Sequence, residues 1–263
     1  MITLYKHECK WYLKTLLIWA LCVGGMGFFC IVLYSGMQEE MAGMAESFAS
    51  MGAFADAFGM SQLSIATLPG FYATEVGTIH GLGGAMFAAV IATTMLSKEE
   101  DGHTGEFLYS LPITRGKAVA AKWGAVMTHI FLFNAFCIAV YVIGFVVLGE
   151  EMPMKEFMLY HGMQILMQIE LAAICYAVSA FLNKNKLGLG LGIALLFYAY
   201  DLIARVVPDL ADYKLWSPFS YANAADILST GEIYVAATVV GGVILLTSVA
   251  LAFGVYTKRD LQS

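Results

Sequence analysis

Long apolar runs alternate with short polar breaks along this chain, and six of the runs are long enough to cross a bilayer. A spanning helix needs about 20 mostly apolar residues. The segments that qualify are 15–35, 71–96, 118–148, 157–182, 187–207 and 233–256. The pattern predicts an all-α, polytopic membrane protein with six transmembrane helices in a single transmembrane domain over 1–263.

Three polar or mixed segments carry patterns of their own. In 1–14, Lys6, Lys10 and Lys14 recur every four residues beside Leu4, Tyr5, Trp11 and Leu13. That combination predicts a short helix lying in the membrane interface. In 36–70, Met37, Met41, Met44, Phe48, Met51, Ala55 and Phe58 are spaced by fours and threes, the seam of an amphipathic helix. Glu39, Glu40, Glu46 and Asp56 fall mostly on its other side. Thioethers can bind Cu(I), but no His or Cys joins this stripe, so an adaptable apolar face is the better reading. The third segment, 208–232, contains Trp216, Pro218, Phe219 and Tyr221. It fits a partly embedded helical hairpin or an ordinary outer loop.

Composition agrees with the spans. Hydrophobic residues make up 60% of the chain and charged residues 13%, against about 25% charged in a soluble domain. The excess apolar surface must face lipid. A net charge of −6 without a basic face excludes nucleic acid as a partner. Cys9, Cys22, Cys30, Cys137 and Cys175 include no CxxC, so neither a disulfide framework nor a zinc site is expected. The first apolar run is too long for a cleaved signal, and no small-residue cleavage pattern follows it.

Charge also sets orientation. Lys6, Lys10, Lys14, Lys98, Arg115, Lys117, Lys122, Lys184, Lys186, Lys258 and Arg259 fall on one side of the spans. The other side receives Lys155 and Lys214, together with Glu39, Glu40, Glu46, Glu150, Glu151, Asp209 and Asp212. Positive loops stay inside, so both termini should be cytoplasmic in a multi-pass protein of the cytoplasmic membrane.

The long polar loop on that positive side, 97–115, is the most informative stretch. Ser97 followed by Glu100 predicts a capping box, and Gly102 and Gly105 allow a change of direction. Phe107, Leu108 and Leu111 share one helical face, and Glu99, Glu100, Asp101 and Glu106 make the rest acidic. Pro112 ends the helix and Thr114 is a fitting N-cap for the next span. Arg115, Lys117 and Lys122 should anchor that span at the inner headgroups. Physically this is a short acidic helix with an apolar knob. It suits docking into a groove on a soluble partner, or it is a solvated loop with routine caps.

Polar residues inside spans are costly and therefore worth weighing one by one. His161, Gln164, Gln168, Cys175 and Ser179 form one stripe on the fourth span, suited to interhelical packing or to an aqueous path. Glu170 lies on the opposite face, about level with Tyr200 and Asp201 of the fifth span, with Arg205 one turn beyond. A Glu170–Asp201–Arg205 cluster is expected between these spans, as an ion-pair network rather than a proton relay. His80 and His129 have no spaced partner on their own helices, so no metal site is expected. Gly188 and Gly192 form a GxxxG suited to close helix contact.

The run Glu-Glu-Asp-x-x-Thr-x-Glu-Phe-Leu-x-x-x-Pro-Ile-Thr-Arg from Glu99 to Arg115, followed by Lys117 and Lys122, resembles the loop between the second and third spans of ABC-2 type transporter permeases. These are the membrane-spanning subunits of bacterial ABC exporters. The wider layout is similar too: six spans, cytoplasmic termini and an N-terminal interfacial helix. The resemblance implies that the loop is a coupling helix held in a cleft of an ATP-binding cassette ATPase subunit. Glu99, Glu100, Thr104, Glu106, Phe107, Leu108 and Leu111 would make that contact, and Pro112 and Arg115 would fix the exit into the third span. It also implies a second permease chain, identical or related, with ATP and Mg bound by the partner ATPase and no cofactor on this chain. No G-x-x-x-x-G-K-[ST] is present, so the chain has no phosphate-cradling loop of its own. The implied role is transport of an amphipathic or hydrophobic peptide, lipid or drug, without covalent chemistry. The alternatives are an ion-coupled secondary transporter using Glu170, Asp201 and Arg205, and a noncatalytic membrane scaffold. A membrane-embedded enzyme would need a paired catalytic motif such as HExxH, which is missing.

Overall fold

The computed structural model describes residues 1–259. Among these residues every regular element is helical. A short first helix, α1 (Ile2–Trp11), leads through Tyr12 into α2 (Leu13–Ala49). Then come α3 (Ala53–Phe58), α4 (Leu68–Phe71), a π-helical turn over Tyr72–Val76, and α5 (Gly77–Met95). Two short helices, α6 (Lys98–Asp101) and α7 (Gly105–Ser110), precede α8 (Arg115–Leu148) and α9 (Met154–Ser179). The chain continues with α10 (Leu187–Val206), a 3-10 segment over Pro208–Trp216, α11 (Ala224–Thr230) and α12 (Val235–Lys258). Six of these stretches are long and apolar enough to span a bilayer, with α4, the π turn and α5 counting as one. This is a multi-pass helical membrane protein.

The first span runs further than its apolar core. A helix of 37 residues, α2 continues through most of the methionine stripe. At 1.5 Å per residue it is about 55 Å long, well beyond a hydrocarbon thickness of about 30 Å. The stripe is then broken at Gly52, whose φ is +56°. Met44 and Met51 are exposed, whereas Ala55 is buried. Gly59, at φ +73°, lies so close to Ala225 that a Cβ there would stand 2.1 Å from the Ala225 Cβ. Within segment 208–232, Ser217, Phe219, Tyr221, Ala222, Ile227 and Leu228 are buried against the rest of the protein.

The second and fourth spans form the centre of the bundle, with 72% of each apolar window buried. Around this pair, α2 packs on α8, α10 packs on α5, and α12 packs on α9. Small residues set how closely the helices approach. A Cβ at Gly27 of α2 would fall 2.4 Å from the Tyr141 ring of α8. On α10 the close contact is made by Gly190 against Ala89 and Thr93 of α5, while Gly188 and Gly192 face open space. The expected GxxxG contact is therefore replaced by its middle glycine, because the buried face of α10 passes between the two outer ones. The outer faces of α2, α8, α10 and α12 expose residues such as Phe29, Val146, Leu196 and Leu246. Polar side chains are turned inward and apolar ones outward, as a lipid solvent requires.

Gly27→Ala should destabilise the protein by about 1–3 kcal/mol, because the ring of Tyr141 must move. Gly25→Ala, one residue pair away, meets nothing within 4 Å and should be neutral or stabilising. Thermal unfolding midpoints of the purified variants in detergent would show the split.

Candidate docking site

Both ends of the described chain and two interhelical turns gather at one end of the bundle. There α1 lies along α8: the Tyr5 hydroxyl shares a 2.7 Å hydrogen bond with Thr128, and the His129 ring stands 3.2 Å from the Cys9 carbonyl. The inward face of α1 carries Glu8, which is fully buried. Its carboxylate accepts from Lys98 Nζ at 2.5 Å and from Lys122 Nζ at 2.9 Å. Lys122 Nζ also donates to Glu99 Oε1 at 2.7 Å and to the Met95 carbonyl at 3.0 Å. The second Glu99 oxygen accepts from Thr104 Oγ1 at 2.6 Å. Lys98 Nζ sits 4.7 Å from the centre of the Trp11 ring. Two acids and two lysines thus tie α1, α6 and α8 together. Lys122 does not anchor a headgroup as expected; its side chain is 0% exposed. It lies within the second turn of α8, where α1 and α6 cover it.

A second set of contacts holds the other side of the loop. Glu100 pairs with Arg259, which also donates to the carbonyls of Ala180 at 2.7 Å and Leu182 at 3.1 Å. Arg115 donates to the Arg259 carbonyl and lies over the Tyr109 ring. The Tyr109 hydroxyl donates to that of Tyr256 at 3.4 Å. The expected capping box does not form. Ser97 Oγ bonds the Thr93 carbonyl and Asn185 Oδ1 instead, and Glu100 is drawn to Arg259. The turn between α6 and α7 uses His103, at φ +51°, rather than the glycines beside it. Thr114 does cap α8, accepting from the Lys117 amide.

The nine residues singled out in this loop therefore divide. Glu99, Glu100 and Leu108 turn into the protein, and Arg115 is half-buried. Thr104, Glu106, Phe107, Leu111 and Pro112 are exposed. Phe107 is 73% and Leu111 48% accessible, a large apolar presentation for a segment rimmed by acids. Burial alone would raise the Glu99 carboxyl, but Lys122, Thr104 and Lys98 outweigh it and hold the group below its ordinary value. Burial, reinforced by Lys122, pushes Lys98 below the usual lysine value, with Glu8 and Glu99 partly offsetting it.

The polar residues within the spans form internal hydrogen bonds. His161 Nε2 meets the Tyr72 hydroxyl at 2.8 Å, in the π turn. Gln164 donates to the Ala222 carbonyl at 2.6 Å. Asn134 donates to Gln168 at 2.6 Å and stands 3.1 Å from His80 Nε2. Cys175 is bonded to Thr93, and Ser179 Oγ accepts from the amides of Leu96 and Ser97. The stripe on α9 is thus packed against its neighbours. His80 and His161, each alone on its helix, meet with ring centres 4.7 Å apart. Among the described residues no group of three His, Cys, Asp or Glu could hold a metal ion.

The expected three-residue ion cluster is only partly assembled. Arg205 pairs with Asp201 at 2.7 Å and with Asp226 of α11 at 3.0 Å. Glu170 instead lies against Gly241 of α12 and accepts from the hydroxyl of Tyr221, in the segment before α11, at 2.6 Å. It thus stands apart from the Asp201–Arg205 pair, turned toward Tyr221 and α12. Asp226 was missed because it comes from a segment whose burial no periodicity signalled.

Lys122→Met leaves Glu8 and Glu99 without their shared partner and should cost about 3–5 kcal/mol. Adding Glu8→Gln should restore part of that loss, which a double-mutant cycle on unfolding midpoints would read. The depressed carboxyl of Glu99 gives a pH signature with a definite sign. Its stabilisation is complete above the ordinary carboxylate value, about pH 4, and disappears as pH falls through the lower native value. Glu99→Gln should flatten that part of the stability–pH curve.

A family model described as ABC-2 family transporter protein matches residues 2–261. No curated protein matches the chain.

Proposed function

Because this chain belongs to the ABC-2 family of transporter proteins, we propose that it is the permease subunit of an ATP-driven exporter and that the exposed Phe107–Leu111 knob docks into a separate ATPase subunit. The single observation that supports the docking role is the division of the loop. Phe107 and Leu111 point outward, while Glu99 and Glu100 before them and Arg115 after them are held to the bundle. A solvated loop would have no need of charged anchors on both of its sides.

In this reading the end bearing the termini is cytoplasmic, in line with its excess of lysine and arginine. ATP and Mg belong to the ATPase subunit. Closure of an ATPase dimer moves the knob, and the ion pairs pass that movement to α1, α8 and α12 together. A second permease chain, identical or related, completes the transporter, and the path for an amphipathic or hydrophobic substrate lies between the two bundles. This chain contributes movement and a path, and no covalent step.

Phe107→Glu and Leu111→Glu should abolish co-purification of the ATPase subunit and its coupled hydrolysis while leaving the unfolding midpoint within about 0.5 kcal/mol of wild type, as exposed positions do. Undiminished binding and hydrolysis would refute the docking role.

A further inference from the structure

The outward face of α1 has a composition opposite to its inward face. Glu8, the one acid in the helix, is buried. Lys6, Lys10 and Lys14 all point away from the protein, and no ion pair holds any of them among the described residues. Ile2, one turn before Lys6, is 72% exposed, and Trp11, between Lys10 and Lys14, is 63% exposed. The same surface continues without a break into the exposed Leu17, Ile18 and Leu21 of α2, the start of the first span. A strip that is basic and aromatic where it adjoins a lipid-facing helix matches the headgroup level of a membrane.

We propose that this face of α1 binds anionic phospholipid headgroups, and that lipid charge thereby tightens the docking loop through Glu8. Three features carry the inference. The lysines offer charge to a phosphate-bearing surface with no competing carboxylate on that face. The apolar residues among them give the helix a depth in the bilayer. Glu8 lies on the reverse side of the same three turns and grips both Lys98 of the loop and Lys122 of α8. Anything that fixes α1 on the membrane therefore fixes the carboxylate on which the loop hangs. The mechanism adds a regulator to the docking loop but depends on the loop's attachment to α1, not on the ATPase.

The test uses the full chain alone, in nanodiscs of phosphatidylcholine or of phosphatidylcholine with roughly one-quarter phosphatidylglycerol, with amide exchange as the readout. Each lysine close to an anionic surface is worth roughly fivefold in association. The anionic discs should slow exchange in residues 2–11 and 98–110 by roughly threefold or more, and added salt should reduce the effect. Lys6→Gln, Lys10→Gln and Lys14→Gln together, all at exposed sites, should erase the difference. Glu8→Gln should keep the response of residues 2–11 and lose that of 98–110. Equal exchange in the two lipids, or an unchanged response in the triple variant, would overturn the proposal. So would reproduction of the effect in neutral discs by soluble glycerol phosphate, which would mark a free-phosphate site. A loop response that survives Glu8→Gln would overturn the coupling through that residue. Because no ATPase is present, none of these outcomes depends on the exporter reading.

Discussion

Two glutamates and two lysines withdrawn from water at the edge of a lipid-facing bundle can be stable only together. Taking any one of them out leaves a charge in a low dielectric with no water to receive it. Glu8, Lys98, Glu99 and Lys122 therefore bind three elements together: a surface helix, a polar loop and the first turns of a span. Buried ion pairs contribute modestly to net stability, but they are specific in geometry. Here they fix where the loop sits, and the outward direction of Phe107 follows from that.

The same logic explains why the loop can be both polar and rigid. Before the knob Glu99 is held by α8 and Glu100 by Arg259, the residue after α12, and beyond it Arg115 is held by the carbonyl of the same Arg259. A push on the exposed knob is thus delivered to the first and last thirds of the chain at once. The interior of the bundle is suited to receive it as a unit. His80, Asn134 and Gln168 on α5, α8 and α9 are hydrogen-bonded to one another, and Gln164 of α9 is bonded to the Ala222 carbonyl.

Much of this was legible in the chain. The six spans followed from apolar length alone, and Thr114 capped α8 where its type and position said it should. What could not be read were the directions of side chains within polar segments. Glu8 was hidden among lysines that suggested only a helix lying in the membrane interface. The signal that could have found it was Lys122, a cation too deep in α8 to remain unpaired. The capping box failed for the same reason in reverse: Glu100 had a better partner in Arg259, at the far end of the chain. Glu170 was expected beside Asp201 and Arg205 but turns toward Tyr221 and α12, because packing direction depends on which helix arrives beside it.

The most direct test of the account is the distance between the loop and α1 in solution. Spin labels at the exposed positions Phe107 and Ile2, in a background with the native cysteines replaced, would give that distance by pulsed electron resonance. The account predicts one narrow distribution in the otherwise native chain and a broad one when Lys122→Met is added, with the packing of α5 against α9 unchanged. A broad distribution in the native chain, or a narrow one that survives the loss of Lys122, would contradict it.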